Sequence, residues 1–137
     1  MKEALIYLLS EVRKYDSYSL DPEIDIEKYT EKLISHAMIM TVYEYADIVS
    51  FIAFYSNDYS GKTIFISMLA TNHKFRGKGM AKLLVSAVHQ YAATINFIKV
   101  RLQVDKLNTK AISLYNRMGY EVMEENESFF IMQIDIQ

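Results

Sequence analysis

Leu5, Leu8, Leu9 and Val12 recur at helical spacing between residues 3 and 14, which predicts a first helix. The stretch SYSLDPE follows and ends it with turn residues and Pro22, the one proline of the chain. Ile26, Tyr29, Leu33 and Ile34 restore the helical pattern from Asp25 to His36, with Asp25 placed as an N-cap. The period then shortens. MIMTVYEY and IVSFIAFYS are rich in β-branched and aromatic residues and flank the turn AD, the pattern of a β-hairpin. NDYSGK is a second turn, and TIFISMLAT predicts a third strand. Over residues 79 to 93, Met80, Leu83, Leu84, Ala87, Val88 and Tyr91 share one helical face. FIKVRLQVD alternates, with Ile98, Val100, Leu102 and Val104 on one side and Lys99, Arg101, Gln103 and Asp105 on the other. Residues 109 to 118 predict a short helix stopped by Gly119 at the C′ position. YEVME and SFFIMQIDI close the chain as two strands around ENES.

The predicted order is α-α-β-β-β-α-β-α-β-β. Hairpin strands pair antiparallel, whereas the strand-helix-strand unit from 63 to 105 demands a parallel crossover. The result is an α/β fold of three layers, a mixed sheet with helices on its faces. With 137 residues and no repeat or linker, the chain reads as a single domain over residues 1–137.

Composition removes several function classes. The net charge of −2 offers no basic excess for a nucleic-acid partner. Without cysteine there is no disulfide, thiolate metal site or cysteine nucleophile. The run ALIYLL is too short for a signal peptide and lacks a cleavage site, and nothing approaches a membrane span. A cytoplasmic protein with no membrane partner is the expectation. His73 reads as a loop residue and His89 as a helix-surface residue, with no spacing that suggests a metal site. The eight methionines read as core filler.

The candidate chemistry lies in NHKFRGKGMAKLL, residues 72 to 84, where a strand gives way to a helix. First-turn N–H groups have no intrahelical partner, and the helix dipole adds partial positive charge. Glycines at 77 and 79 clear the approach to those donors, and Arg76, Lys78 and Lys82 add cationic charge, which suits a pyrophosphate. A dinucleotide-binding motif would need glycine where Lys82 stands. GKT at 61–63 lacks the Walker glycine, since Ser56 holds that place. A glycine turn that merely starts a core helix is the competing reading.

RGKGMA, Arg76 to Ala81, resembles the Arg/Gln-x-x-Gly-x-Gly/Ala signature of the GNAT superfamily of N-acetyltransferases. About thirty residues on, NTKAISLYNRMGYE is similar to that family's second block: an asparagine, a small residue, a tyrosine, then Gly-Tyr or Gly-Phe. The resemblance runs from Met38 onward and fits the N-terminal helices more loosely. It implies a sheet, mostly antiparallel, that splays at a cleft for acetyl-CoA as cosubstrate. It places backbone groups of Leu69, Ala70 and Thr71 along the pantetheine arm. It also places amides of Gly77, Lys78, Gly79, Met80, Ala81 and Lys82 on the pyrophosphate, and Asn108, Lys110 and Ala111 near the cofactor. Tyr115 becomes the catalytic acid beside the departing sulfur; as an isolated residue it would read as part of an amphipathic helix.

The implied reaction is direct attack by a primary amine, with no covalent enzyme intermediate. Many relatives carry a Glu or His on the strand before the glycines, where this chain has only Ser67 as a polar residue. The base candidates are therefore water held by Ser67, or Asp105, Glu44 or His36. The expected acceptor is a small-molecule amine such as an amino sugar, amino acid or polyamine. A protein N-terminus or lysine, and a non-catalytic acyl-CoA-binding module, stand as alternatives. SYSLDPEID is expected on the acceptor side, where Asp21, Glu23 and Asp25 could attract a cation. SFFIMQIDI could pair with a second subunit as a homodimer or simply finish the sheet.

Overall fold

In the computed structural model, which describes every residue except Ser17 and Ser19, the elements follow the predicted order. They are α1 (Lys2–Tyr15), α2 (Ile26–His36), β1 (Met38–Glu44), β2 (Asp47–Asp58), β3 (Thr63–Thr71), α3 (Met80–Thr94), β4 (Lys99–Asp105), α4 (Thr109–Arg117), β5 (Glu121–Glu125) and β6 (Phe129–Asp135), with a 3-10 turn at His73–Phe75. The strands form one sheet in the order β1-β2-β3-β4-β6-β5. Every neighbouring pair is antiparallel except β3 and β4, which the α3 crossover joins in parallel. Because β6 lies between β4 and β5, the strand built from SFFIMQIDI is interior to the sheet, and β5 forms the edge. β6 leaves no free edge of its own for a second subunit.

Each face of the sheet has its own core. Leu5, Leu8 and Leu9 of α1 and Leu33 of α2 are buried with Phe51, Ala53, Met68 and Ala70. On the other face Val85, Val88 and Ala92 of α3 and Tyr115 of α4 are buried with Ile64, Ile66, Val100, Leu102 and Met132. Three predicted positions differ. Ile34 of α2 is exposed, because the buried stripe of that helix runs through Ile26, Thr30 and Leu33. Leu83 is 59% exposed, because the buried stripe of α3 runs through Leu84, Val85, Val88 and Ala92, and Leu83 falls to one side of it. Ile98 is also exposed. It precedes β4, where its N–H bonds the Lys62 carbonyl at 2.8 Å, so its side chain is not held by the alternation that follows.

The feature that shapes the site is a bulge in β3. Ala53 pairs with Met68 and Phe54 with Ile66, which leaves Ser67 without a partner on β2. The extra residue reverses the phase of the strand. Ile64 and Ile66 face the α3 core, whereas Met68 and Ala70, at the same even spacing, face the α1–α2 core. Pairing with β4 runs from Thr63 opposite Lys99 to Ile66 opposite Leu102, and there it ends. Ser67 therefore marks the point where two parallel strands part.

Candidate active site

A cleft of about 990 Å³ opens at the C-terminal end of β3, between the starts of α3 and α4. Leu69, Ala70 and Thr71 form one wall. Arg76, Gly77, Gly79, Met80, Ala81 and Lys82 form the rim, and Asn108, Lys110 and Ala111 face them from α4 and its cap. Of the cofactor residues expected from sequence, Lys78 and Tyr115 lie outside this lining: Lys78 has its Nζ 5.2 Å above the Phe75 ring, and Tyr115 lines a smaller cavity beside it.

The start of α3 differs from the starts of its neighbours. Asp25 caps α2 by accepting from the Lys28 N–H, and Asn108 caps α4 by accepting from the Ala111 N–H at 3.2 Å. At α3 the cap is Gly79, with φ at +80° and no side-chain bond. The first intrahelical bond is Leu83 N–H to the Gly79 carbonyl at 3.0 Å, so the helix leaves the N–H groups of Met80, Ala81 and Lys82 unpaired. A Cβ on Gly77 or Gly79 would meet nothing within 4 Å. Free donors, clear space and the positive end of a helix dipole are the features that suit an anion.

Arg76 does not stand free at its mouth. Its guanidinium pairs with Asp16 at the end of α1, and its Nε donates to the Thr71 carbonyl at 3.3 Å. Asp16 also accepts from the Tyr18 hydroxyl at 3.4 Å, and Tyr15 stacks on His73 with ring centroids 3.8 Å apart. Arg76 thus ties α1 to the end of β3, and its charge is largely spent on Asp16. Asp16, in the cleft wall, escaped the sequence reading, because no spacing rule links a loop carboxylate to an arginine sixty residues away; Tyr18, also in the wall, belongs to the stretch SYSLDPEID expected on the acceptor side.

A second cavity, of about 120 Å³, fills the gap where β3 and β4 part. Ser67, Gln103, Asp105 and Tyr115 line it, and Tyr18, Leu69, Asn108 and Ala111 line both cavities, so the two meet there. Burial pushes the Tyr115 hydroxyl above the ordinary tyrosine value of 10.0 and keeps it a neutral phenol. Two other base candidates are elsewhere. Glu44 is exposed at the β1–β2 turn, opposite Asp47, and His36 is exposed at the end of α2. Asp21 accepts from the Glu23 N–H at 2.8 Å and Asp25 caps α2, so these carboxylates shape their own loop. Ser17 and Ser19, in the stretch assigned to the acceptor side, lie outside the described residues. Among the described residues no group of His, Cys, Asp or Glu side chains is placed to hold a metal ion.

His89 is not a surface residue. It is half-buried on α3, with Nε2 2.7 Å from the Tyr120 hydroxyl, and the Tyr120 ring lies 5.4 Å from that of Tyr115. Burial lowers its pKa from 6.5. The unfolded chain therefore binds a proton first, and stability falls as pH drops from about 6.5 towards the lower folded value. Thermal melts of wild type and His89→Gln between pH 7.5 and 5 check this: the variant should lose less of its stability over that interval.

The sequence profile of the acetyltransferase (GNAT) family matches residues 4–120. The chain belongs to that family. Solved structures share its fold at low identity. The PaiA N-acetyltransferase of Thermoplasma acidophilum, in complex with coenzyme A, superposes with a TM-score of 0.83 at 19% identity, over 98% of this chain and 92% of that one. The ribosomal-protein alanine N-acetyltransferase of Escherichia coli gives 0.79 at 12% identity, over 99% and 88%. An aminoglycoside 6′-acetyltransferase of type Ii gives 0.79 at 16% identity, over 99% and 90%. One fold thus serves a protein alanine and an aminoglycoside, so fold alone does not select the acceptor. No described helix is long and apolar enough to cross a membrane.

Proposed function

We propose that this protein, as one domain over residues 1–137, transfers the acetyl group of acetyl-CoA to the primary amine of a small molecule. The observation that carries the reading is the joining of two cavities. The uncapped, glycine-opened start of α3 leads along the end of β3 to the gap below Ser67, where the buried Tyr115 is placed.

Each part has a physical task. N–H groups from Gly77 to Lys82 hold the pyrophosphate, and the Cβ-free positions let it approach. Past the bulge, β3 has lost its β4 neighbour, so Leu69, Ala70 and Thr71 offer backbone groups to the pantetheine amides as a strand would. A donor from the same segment polarises the thioester carbonyl. Asn108 and Ala111 are engaged with each other as cap and first turn, and they bound the arm together with Lys110. Acetyl-CoA supplies the activated acyl group and a thiol leaving group. Tyr115 donates a hydrogen bond to that sulfur as negative charge grows on it.

The test is thiol release from acetyl-CoA across spermidine, glucosamine, lysine methyl ester and lysine-containing peptides, beside calorimetric binding of CoA. The expected result is release with at least one small amine and slower release with the peptides. Turnover confined to peptides would replace the small-molecule reading with a protein acceptor. Tight CoA binding without turnover would leave a non-catalytic acyl-CoA-binding module.

A further inference from the structure

We propose that Asp105 receives the acceptor: its carboxylate holds the incoming ammonium and takes the proton that leaves. The inference rests on the acetyl-transfer reading above and adds to it the group on the amine's side of the reaction. Asp105 is the last residue of β4 and belongs to the strand's polar face, since Val100, Leu102 and Val104 are buried in the α3 core. Pairing with β3 ends at Leu102, so the rung of Asp105 opens into the gap between the strands. Among the described residues it is the one carboxylate lining the inner cavity, and it shares that lining with Ser67 and Tyr115.

The two polar ends of this cavity come from different layers. Tyr115 reaches it from α4, which packs on the α3 side of the sheet. Asp105 belongs to the face on which Arg101 and Gln103 lie. An amine entering from the polar face therefore meets a carboxylate, while the sulfur sits beside a phenol in the helix layer. Asp105 is also ready to bind. Its Oδ1 accepts from the Leu107 N–H at 2.8 Å, and its second oxygen has no hydrogen-bond partner among the described residues. The nearby cations have partners of their own. Arg101 pairs with Glu124 at 2.8 Å, and Lys106 pairs with Glu125 at 2.7 Å. The other ionisable groups lining the cavity are the Tyr18 and Tyr115 hydroxyls.

The proton balance closes without a further reactant. The ammonium gives one proton to Asp105, directly or through a water, and the freed lone pair forms the N–C bond. The C–S bond breaks, and the second nitrogen proton ends on sulfur while the Tyr115 hydroxyl stabilises it. Asp105 then returns its proton to solvent, so each turnover yields amide, thiol and one H⁺.

Asp105→Asn tests this cleanly, because the amide oxygen still accepts from Leu107 while the charge is gone. The expected result is a fall in kcat/KM of at least about tenfold, partly restored by Asp105→Glu, with CoA affinity unchanged. The residual activity of the Asn variant should climb with pH more steeply than that of wild type, as solvent supplies free amine. Spermidine binding to the CoA complex, read by calorimetry, should weaken about tenfold, or ~1.4 kcal/mol. An Asn variant within twofold of wild type in both turnover and spermidine affinity overturns the assignment. Spermidine bound through Asp105 by a protein that turns over no amine would instead sink the acetyl-transfer reading and keep the binding role.

Discussion

Replacing Gly79 with valine should raise the Kd for CoA at least about a hundredfold, equivalent to ~2.7 kcal/mol, while the protein stays folded. Both halves of that result come from the same geometry. A Cβ at Gly79 touches no protein atom within 4 Å, so the substitution creates no internal clash. Its cost to the fold is the left-handed backbone at φ +80°, on the order of 1–2 kcal/mol for a residue with a Cβ. The new side chain instead stands where a phosphate must approach the N–H groups of Met80, Ala81 and Lys82. Gly77, at φ +76° with equally open surroundings, should behave in the same way, and alanine at either position should give a smaller loss than valine. Lys78→Ala is the control. Lys78 lies outside the cleft lining and over Phe75, so its removal should change Kd by no more than about twofold, the scale of a screened surface charge. Calorimetry with CoA, beside a thermal melt of each variant, reads all of this. Wild-type affinity in a folded Gly79→Val protein would mean that α3 is not the phosphate cradle.

The sequence carried the order of elements because most of them have strong periods: 3.6 in α1 and α2, two in β4, and β-branched runs in β2 and β3. It carried the cleft for a related reason, since glycines and backbone donors are written locally in residues 77 to 82. What it could not carry arises between elements. Ser67 stood out as the one polar residue in IFISMLA, yet alternation gives no sign of a bulge. The reversal of phase between Ile66 and Met68 appears only against the register of β2. The same holds for His89, which looks like a surface residue of an amphipathic helix until Tyr120, placed by Gly119 after α4, comes to meet it. Arg76 was read as a free cation because its motif is basic, and its partner Asp16 belongs to another layer. Asp105, Glu44 and His36 were equivalent as base candidates in one dimension. The parting of β3 and β4 separates them, since only Asp105 lines the gap.

Tyr115→Phe should lower kcat by about a hundredfold, in the range seen when one donor to a developing charge is removed, with CoA affinity and thermal stability little changed. Phenylalanine keeps the ring, which is buried and packed 5.4 Å from the Tyr120 ring, so the substitution isolates the hydroxyl. The form of the effect follows from the raised pKa of this phenol. A thiol of ordinary acidity, near 8.5, is a stronger acid than a tyrosine lifted above 10.0 by burial. Complete proton transfer from Tyr115 to the sulfur is therefore uphill. In the proposed reaction the hydroxyl would act by donating a hydrogen bond that strengthens as charge accumulates on the sulfur in a poorly solvated site. A phenol whose pKa lies above 10 stays protonated through neutral and mildly alkaline pH, so the ratio of wild-type to Phe kcat should be constant from pH 7 to about 9.5. A ratio that fell towards one across that interval would show Tyr115 ionising in the working range and would contradict a pKa raised by burial. An unchanged kcat at every pH would remove the hydroxyl from the reaction and leave Tyr115 as a packing residue of α4.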